Sequence, residues 1–256
     1  VLWSGLVFVM EIFYASDING NTIGLFNMDF TVEAGNIGWL YLALIVICLF
    51  SSVISAVGFG ERFDDLISED YYVSDGLVTK LELDEEQEDK IVFDQIHFRD
   101  ISMEGVRFQQ VEFIDCIIEK CDLSNVDFGN AVFHRVEILS SKLVGANISQ
   151  SRMTDVKVVD TVANYVSLSF SKLKKVSFTK TSFNRADFIE TTFDKVNFEG
   201  CELNEANFNG TALNGVDLSS NTYEQLTVSL DKMQGCTVST EQAIGFAKSL
   251  GLQIKE

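Results

Sequence analysis

The sequence predicts an all-β solenoid, entered through a transmembrane helix and closed by a short C-terminal helix. Three observations predict it. From Ile91 to Leu218 apolar residues recur every five positions without one insertion. Ile37 to Gly60 is a stretch of twenty-four residues without a charge. Ser239 to Leu250 opens with a helix-start pattern and continues with apolar residues at helical spacing. The absence of proline among 256 residues agrees with the first observation. A residue without an N–H interrupts any continuous backbone ladder.

The front of the chain predicts a membrane segment over 1–60. As an α-helix, 37–60 is long enough to cross a hydrocarbon core of ~30 Å with some tilt. Trp39 and Tyr41 stand at one end, where amphipathic rings prefer the interface. Ser51, Ser52 and Ser55 can bond back to the helix backbone. Residues 1–16 are apolar around Glu11, and at ~24 Å of helix they are read as a truncated first span. The chain begins with Val, which suggests a fragment or a processed product. Residues 17–36 carry Asp17, Asp29 and Glu33 and no base, which reads as an outer loop. Arg62, Lys80 and Lys90 follow the second span, so the positive-inside rule puts the C-terminal part in the cytoplasm of a cell-membrane protein. Nothing like a TVGYG filter lies between the spans, which excludes a potassium-channel pore.

The net charge of −19 is unevenly spread. Residues 61–90 carry twelve acids and three bases, including the run Glu82 to Asp89. That stretch is expected to be a solvated, self-repelling acidic linker. Residues 91–220 are only −5, and Lys172, Lys174, Lys175, Lys180, Arg185 and Lys195 make a basic patch there. The overall acidity argues against direct nucleic-acid binding.

The solenoid is predicted over 91–222. Its large positions include Phe93, Phe98, Phe108, Phe113, Leu123, Phe128, Phe133, Leu143, Leu168, Leu173, Phe178, Phe183, Phe188, Phe193, Phe198, Leu203, Phe208, Leu213 and Leu218. Two residues before each stands a small or β-branched one, running from Ile91 to Val216. The other three positions of each five are mostly polar. A period of five is neither helical, at 3.6, nor that of a flat strand, at 2. It suits a chain that turns after every unit and stacks coil on coil at ~4.8 Å.

This pattern resembles the pentapeptide-repeat family. Ala186-Asp187-Phe188, Ala206-Asn207-Phe208 and Val216-Asp217-Leu218 carry the resemblance most clearly. It implies a right-handed quadrilateral β-helix with four units per coil, so that residues twenty apart stack. Phe108, Phe128, Ile148, Leu168, Phe188 and Phe208 should then form one interior ladder. Ala163 should sit between Leu143 and Phe183, where the core is thin.

Residues 223–256 are expected to cap the open end. Ser239 and Gln242 form a capping-box pattern, and Gly251 can stop the helix. Ile244, Phe246, Ala247, Leu250 and Leu252 would cover the last coil, with any surplus free to pair with a second copy. The tail is similar to that of the quinolone-resistance pentapeptide proteins, where such a segment dimerises.

Catalytic motifs are absent from the sequence: there is no P-loop, dinucleotide fingerprint, HExxH or GxSxG. His97 and His134 fall at outward repeat positions. Cys116, Cys121 and Cys201 occupy small inward positions, Cys48 lies in the apolar span, and Cys236 follows the repeat. An odd count fits a reducing compartment and gives no zinc site. No cofactor is expected. The function expected is a non-catalytic, membrane-anchored interaction module for an unknown protein partner. The family resemblance implies an alternative, a DNA-mimicking regulator of a type II topoisomerase such as gyrase. The basic patch weakens that alternative and suggests contact with an anionic surface, lipid or acidic partner.

Overall fold

The computed structural model describes residues 9–16, 22–29, 72–79 and 86–255. They fall in two compact units, divided after residue 54. In the first unit β1 (Val9–Ser16) pairs antiparallel with β2 (Thr22–Asp29). This differs from the helix and loop expected there. Asn19-Gly20 between two apolar runs is a strong hairpin signal, and it outranks apolarity as a guide to this segment. The expected transmembrane helix, 37–60, lies outside the described residues. No helix among those described is long and apolar enough to cross a membrane.

The second unit is a right-handed solenoid. Its strands are β3 (Tyr72–Val78), β4 (Glu86–Arg99), β5 (Arg107–Ile114), β6 (Ile117–Glu119), β7 (Val132–His134) and β8 (Glu137–Leu139). They continue as β9 (Arg152–Val159), β10 (Lys172–Thr179), β11 (Thr192–Glu199), β12 (Ala206–Phe208) and β13 (Leu226–Val228). Pairing is parallel, and partners are twenty residues apart: Leu173 meets Met153 on one side and Phe193 on the other. Each coil therefore has four sides. Side 1 holds 91–94 and its successors, side 2 holds 96–99, side 3 holds 101–104 and side 4 holds 106–109. Sides 1 and 2 carry most of the strands. Sides 3 and 4 are joined by single bridges such as Asp122 to Lys142 and Asp127 to Asn147.

The corners explain the period. Residues numbered in fives, such as Asn125, Tyr165, Phe170, Lys175 and Arg185, take φ between 53° and 61°. Between sides 3 and 4 these corners close as β-turns, with the Leu143 carbonyl accepting from Ala146 N–H at 3.1 Å and that of Leu203 from Ala206 at 3.0 Å. A left-handed residue at the third turn position marks type II. Gly145 (φ 69°) has a second reason to be glycine: a Cβ there would lie 2.6 Å from Asn125 Oδ1.

The core is the double series read from the sequence. All the large residues named above are buried except Phe193, which is partly buried. The next layer over Phe193, at Leu213, is not a strand, so the cover there is looser. Phe188 and Phe208 stack at 4.8 Å and 1°, Phe113 and Phe133 at 5.2 Å and 11°. Along a coil the rings meet edge to face, as Phe178 and Phe183 do at 5.0 Å and 86°. Ala163 is fully buried between Leu143 and Phe183 in this ladder. We expect Ala163→Leu to leave the melting temperature unchanged or raise it. A clear drop would show that Leu143 and Phe183 already fill the level.

The small column has a second role that volume alone does not show. Ser141 Oγ donates to the Leu139 carbonyl at 2.8 Å and accepts from Cys121 N–H at 3.0 Å. Thr191 Oγ1 donates to the Leu168 carbonyl at 2.9 Å, while Thr211 Oγ1 accepts from Thr191 N–H at 2.8 Å. These buried hydroxyls satisfy backbone groups at corners and tie adjacent coils together.

The solenoid begins earlier and ends later than the uninterrupted repeat. Tyr72–Val78 pairs with Val92–Phe98, and Val73 and Val78 are buried in the core. Residues 72–79 and 86–90, read from sequence as linker, therefore belong to coils. Glu88 stands where the five-residue step calls for a large apolar side chain, and the register slips between Gln87 and Lys90. At the other end Asp217 bridges Thr237, so coiling continues into the segment read as cap.

Helix α1 (Thr240–Ser249) has the capping box, with Gln242 N–H donating to Ser239 Oγ at 3.2 Å and Ser239 N–H to Gln242 Oε1 at 2.8 Å. Gly251 (φ 80°) stops it, with Leu252 N–H bonded to the Ala247 carbonyl and Gly251 N–H to that of Lys248. Gln242 Nε2 also donates to the carbonyls of Leu218 and Asn221, both at 2.9 Å, which fastens the helix to the last coils. The cover is narrower than expected. Phe246 and Ala247 are half-buried, with Phe246 against Tyr223, but Ile244, Leu250, Leu252 and Ile254 stay exposed. Anchoring through Gln242 and the Phe246 contact leaves the rest of the apolar face free.

Candidate interaction surface

Many of the outward cations are neutralised along the axis. Because residues twenty apart stack, an acid on one coil meets a base on the next. Arg135 Nε lies 2.5 Å from Asp115, Lys142 Nζ 3.0 Å from Asp122, Lys157 Nζ 2.7 Å from Glu137 and Arg185 Nε 2.8 Å from Glu205. Glu119 receives Arg99 at 2.9 Å and His97 at 3.1 Å. Such exposed pairs are individually weak. They nonetheless hold their carboxyls below the usual range: Asp115 through its bond from Arg135, Glu119 through Arg99 and then His97, Glu205 through Arg185. For Asp122 the Ser124 hydroxyl is the larger cause and Lys142 the smaller.

A lowered carboxyl pKa stabilises the fold above the unfolded value of about 4, and this is lost as pH falls through the folded value. We expect the melting temperature to fall between pH 5 and pH 3. The fall should be smaller in Arg135→Gln, which has lost one pair; equal slopes would show that these pairs contribute nothing.

The structure divides the six basic residues singled out from sequence. Lys172 and Lys174 point outward from side 1 on β10. Lys175 and Lys195 stand one above the other at the corner leaving side 1. Lys180 is at the following corner, and Arg185 at the one after. Arg185 is engaged elsewhere: it donates to Glu205 and to the Tyr165 hydroxyl at 2.9 Å, and lies 5.7 Å from the centre of the Tyr165 ring. Arg152, which sequence inspection overlooked, belongs with the lysines, because it is in register with Lys172. Stepping by twenty from Lys172 would have found it.

This portion of side 1, with its two corners, thus carries Arg152, Lys172, Lys174, Lys175 and Lys195 against Asp155, Asp194 and Glu190. Only Lys175 among these cations has an ion pair among the described residues, at 3.2 Å to Asp155. Phe170 stands at the corner entering this side and is 55 % exposed, with φ 61°. Tyr165, one corner earlier, is 54 % exposed. Left-handed backbone costs an L-residue roughly 1–2 kcal/mol. Most other positions of this kind hold Asp, Asn, Gly or a long polar side chain.

Chemistry beyond recognition has little footing among the described residues. No group of His, Cys, Asp or Glu there could hold a metal ion. Burial pushes the Cys116 thiol up to about 11 and raises those of Cys121 and Cys201, which makes them poor nucleophiles. A cleft of about 1100 Å³ between α1 and the last coils contains Glu205, Glu224 and Glu241 but no histidine, cysteine or base.

Residues 92–130 match the family described as pentapeptide repeats, and residues 131–208 the one described as a pentapeptide repeat region. Among solved structures the chain is similar to QnrB1, described as a plasmid-mediated fluoroquinolone resistance protein. The likeness has 19 % identity and a TM-score of 0.48, and covers 71 % of this chain and 99 % of that one. It is also similar to HetL of the cyanobacterium Nostoc, described as involved in heterocyst differentiation regulation. Here identity is 12 % and the TM-score 0.21, over 65 % of this chain and 82 % of the other. No curated protein matches.

Proposed function

Because the chain is a pentapeptide-repeat protein, we propose that it is a rigid, non-catalytic interaction module for another protein, anchored in the cell membrane through residues 37–60 with the rod on the cytoplasmic side. The observation that carries the recognition part is the contrast across the surface. Among the described residues, cations elsewhere on the repeat are mostly paired to acids, Lys180 excepted, whereas on this portion of side 1 four of five stand without an ion pair.

Two measurements test this reading. Expressed in cells, the full chain should pellet with membranes and resist carbonate extraction; complete recovery in the soluble fraction ends the anchoring. Photocrosslinkers placed on all four sides should capture a saturable protein adduct from at least one; no adduct from any side ends the module.

The exposed Ile244, Leu250, Leu252 and Ile254 favour a further reading, a homodimer formed through the C-terminal tail. Sedimentation should give twice the protomer mass, and Leu250→Asp with Leu252→Asp should halve it. A wild-type monomer at tens of micromolar would sink the dimer. The topoisomerase alternative calls for a continuous acidic face, and side 1 is interrupted by the lysines. A supercoiling assay with gyrase should therefore show no effect of the full chain.

A further inference from the structure

Four of the five repeat cations without an ion pair among the described residues gather on one portion of side 1, with Lys180 at the next corner, and an exposed ring borders them. Building on the interaction-module reading, we propose that side 1 from Arg152 to Lys195, with Phe170 at its edge, docks an extended acidic segment of a partner protein, one with carboxylates at alternate positions and an apolar side chain beside them.

Charge is the first argument. The chain is −19 overall, yet this area holds five cations against three acids, Asp155, Asp194 and Glu190, the last stacked beside Phe170 at its corner. Arg152, Lys172, Lys174 and Lys195 have no ion pair among the described residues, while Arg99, Arg135, Lys142, Lys157 and Arg185 each have one. Complementary charge of this kind fixes partner identity and speeds encounter.

Spacing is the second. Lys172 and Lys174 leave the same face of one strand, so they stand about 6.6 Å apart. An extended partner running along β10 presents every second side chain with the same repeat. Arg152 lies one coil away in register with Lys172, and Lys195 one coil away from Lys175, each about 4.8 Å off. The lysine pair thus reads along the partner, while the neighbouring coils hold its flanks.

Phe170 is the third. Its ring is exposed on a backbone conformation that disfavours it, at the corner from which the chain enters Lys172. Tyr165 shares the conformation but is braced by Arg185. Phe170 has no such brace, and an aromatic anchor ringed by charge is the usual build of an energetic hot spot. A lipid surface fits less well. Asp155 and Asp194 are fixed among the lysines, with Asp194 in register with Lys174, and would face lipid phosphates. A peptide can leave a gap opposite each of them.

The test uses the full chain in detergent and a fluorescein-labelled peptide of about a dozen residues alternating Glu with Leu and Phe. The comparison probes are the same peptide with Gln for Glu, and phosphatidylcholine vesicles containing phosphatidylglycerol. Saturable binding of the acidic peptide is expected, weakening steeply with salt. Lys172→Gln with Lys174→Gln should weaken it about tenfold. Phe170→Asn should weaken it by a similar factor while the melting temperature holds or rises, since Asn tolerates this backbone. Lys142→Gln with Lys157→Gln, on sides 3 and 2, should change nothing. Equal binding of the Gln peptide, indifference to the Lys172 and Phe170 substitutions, or binding of vesicles without binding of peptide would each overturn the site. If crosslinking still captures a partner that Phe170→Asn does not disturb, this site falls and the module reading stands. If no side captures a partner, both fall.

Discussion

Phe188→Ala should lower the unfolding free energy by about 3–5 kcal/mol, the range for truncating a buried phenylalanine. Phe188 is fully buried, with Leu168 on one coil and rings on the other and along its own. Phe208 stacks on it at 4.8 Å, Phe183 lies at 5.3 Å and Phe198 at 5.7 Å, the last two edge to face. The residues two before it and two before Phe208 are small alanines, Ala186 and Ala206, which cannot swing in to fill the gap. Ladder hydrogen bonds above and below fix the spacing of the coils, so the walls cannot collapse either. Chemical denaturation followed by circular dichroism gives the number. A loss under about 1 kcal/mol would mean that the interior relaxes far more freely than close packing allows.

Val176→Asp should cost at least about 3 kcal/mol near neutral pH, because it leaves an uncompensated carboxylate in an apolar column. Val176 is buried, in register with Val156 and Val196. Its sign with pH is opposite to that of the native carboxyls. Burial raises a carboxyl pKa, so the folded variant holds its proton to higher pH than the unfolded chain does. Such a group loses stability as pH rises through its folded value and regains it as pH falls. The deficit against wild type should therefore shrink from pH 8 to pH 5. An identical deficit at both would show that the new side chain had turned outward through a corner.

The solenoid was legible because its physics is local and repeated. Phe93 and Ile91 start two series that share one step, and nothing but a coil of fixed circumference asks for that. The rest is hidden in the sequence where a second principle competes with the first. Glu88 breaks the large series, and the slip between Gln87 and Lys90 hides the coils on either side of it. Asn19-Gly20 was outweighed by the apolarity of its flanks. Ser141, Thr191 and Thr211 were read as small, since a one-dimensional pattern reports volume and not the carbonyl each hydroxyl meets. Proximity along the chain suggested Lys180 and Arg185, whereas neighbours on this surface are twenty residues apart, which excludes those two and admits Arg152. Phe170 had a signal too, an aromatic at a position reserved for residues that accept left-handed backbone.

The four-unit coil makes the molecule a gauge. Each layer touches only the layers above and below, so an event at one end has no wire to the other. Distance and bearing, however, are held throughout. Gaining or losing twenty residues would shift every feature beyond the change by about 4.8 Å without turning it, and gaining or losing five would swing those features through a quarter of a revolution. Where the lysine-bearing wall points, and how far it stands from the first coil, is thus set by simple arithmetic on the count of units beneath it.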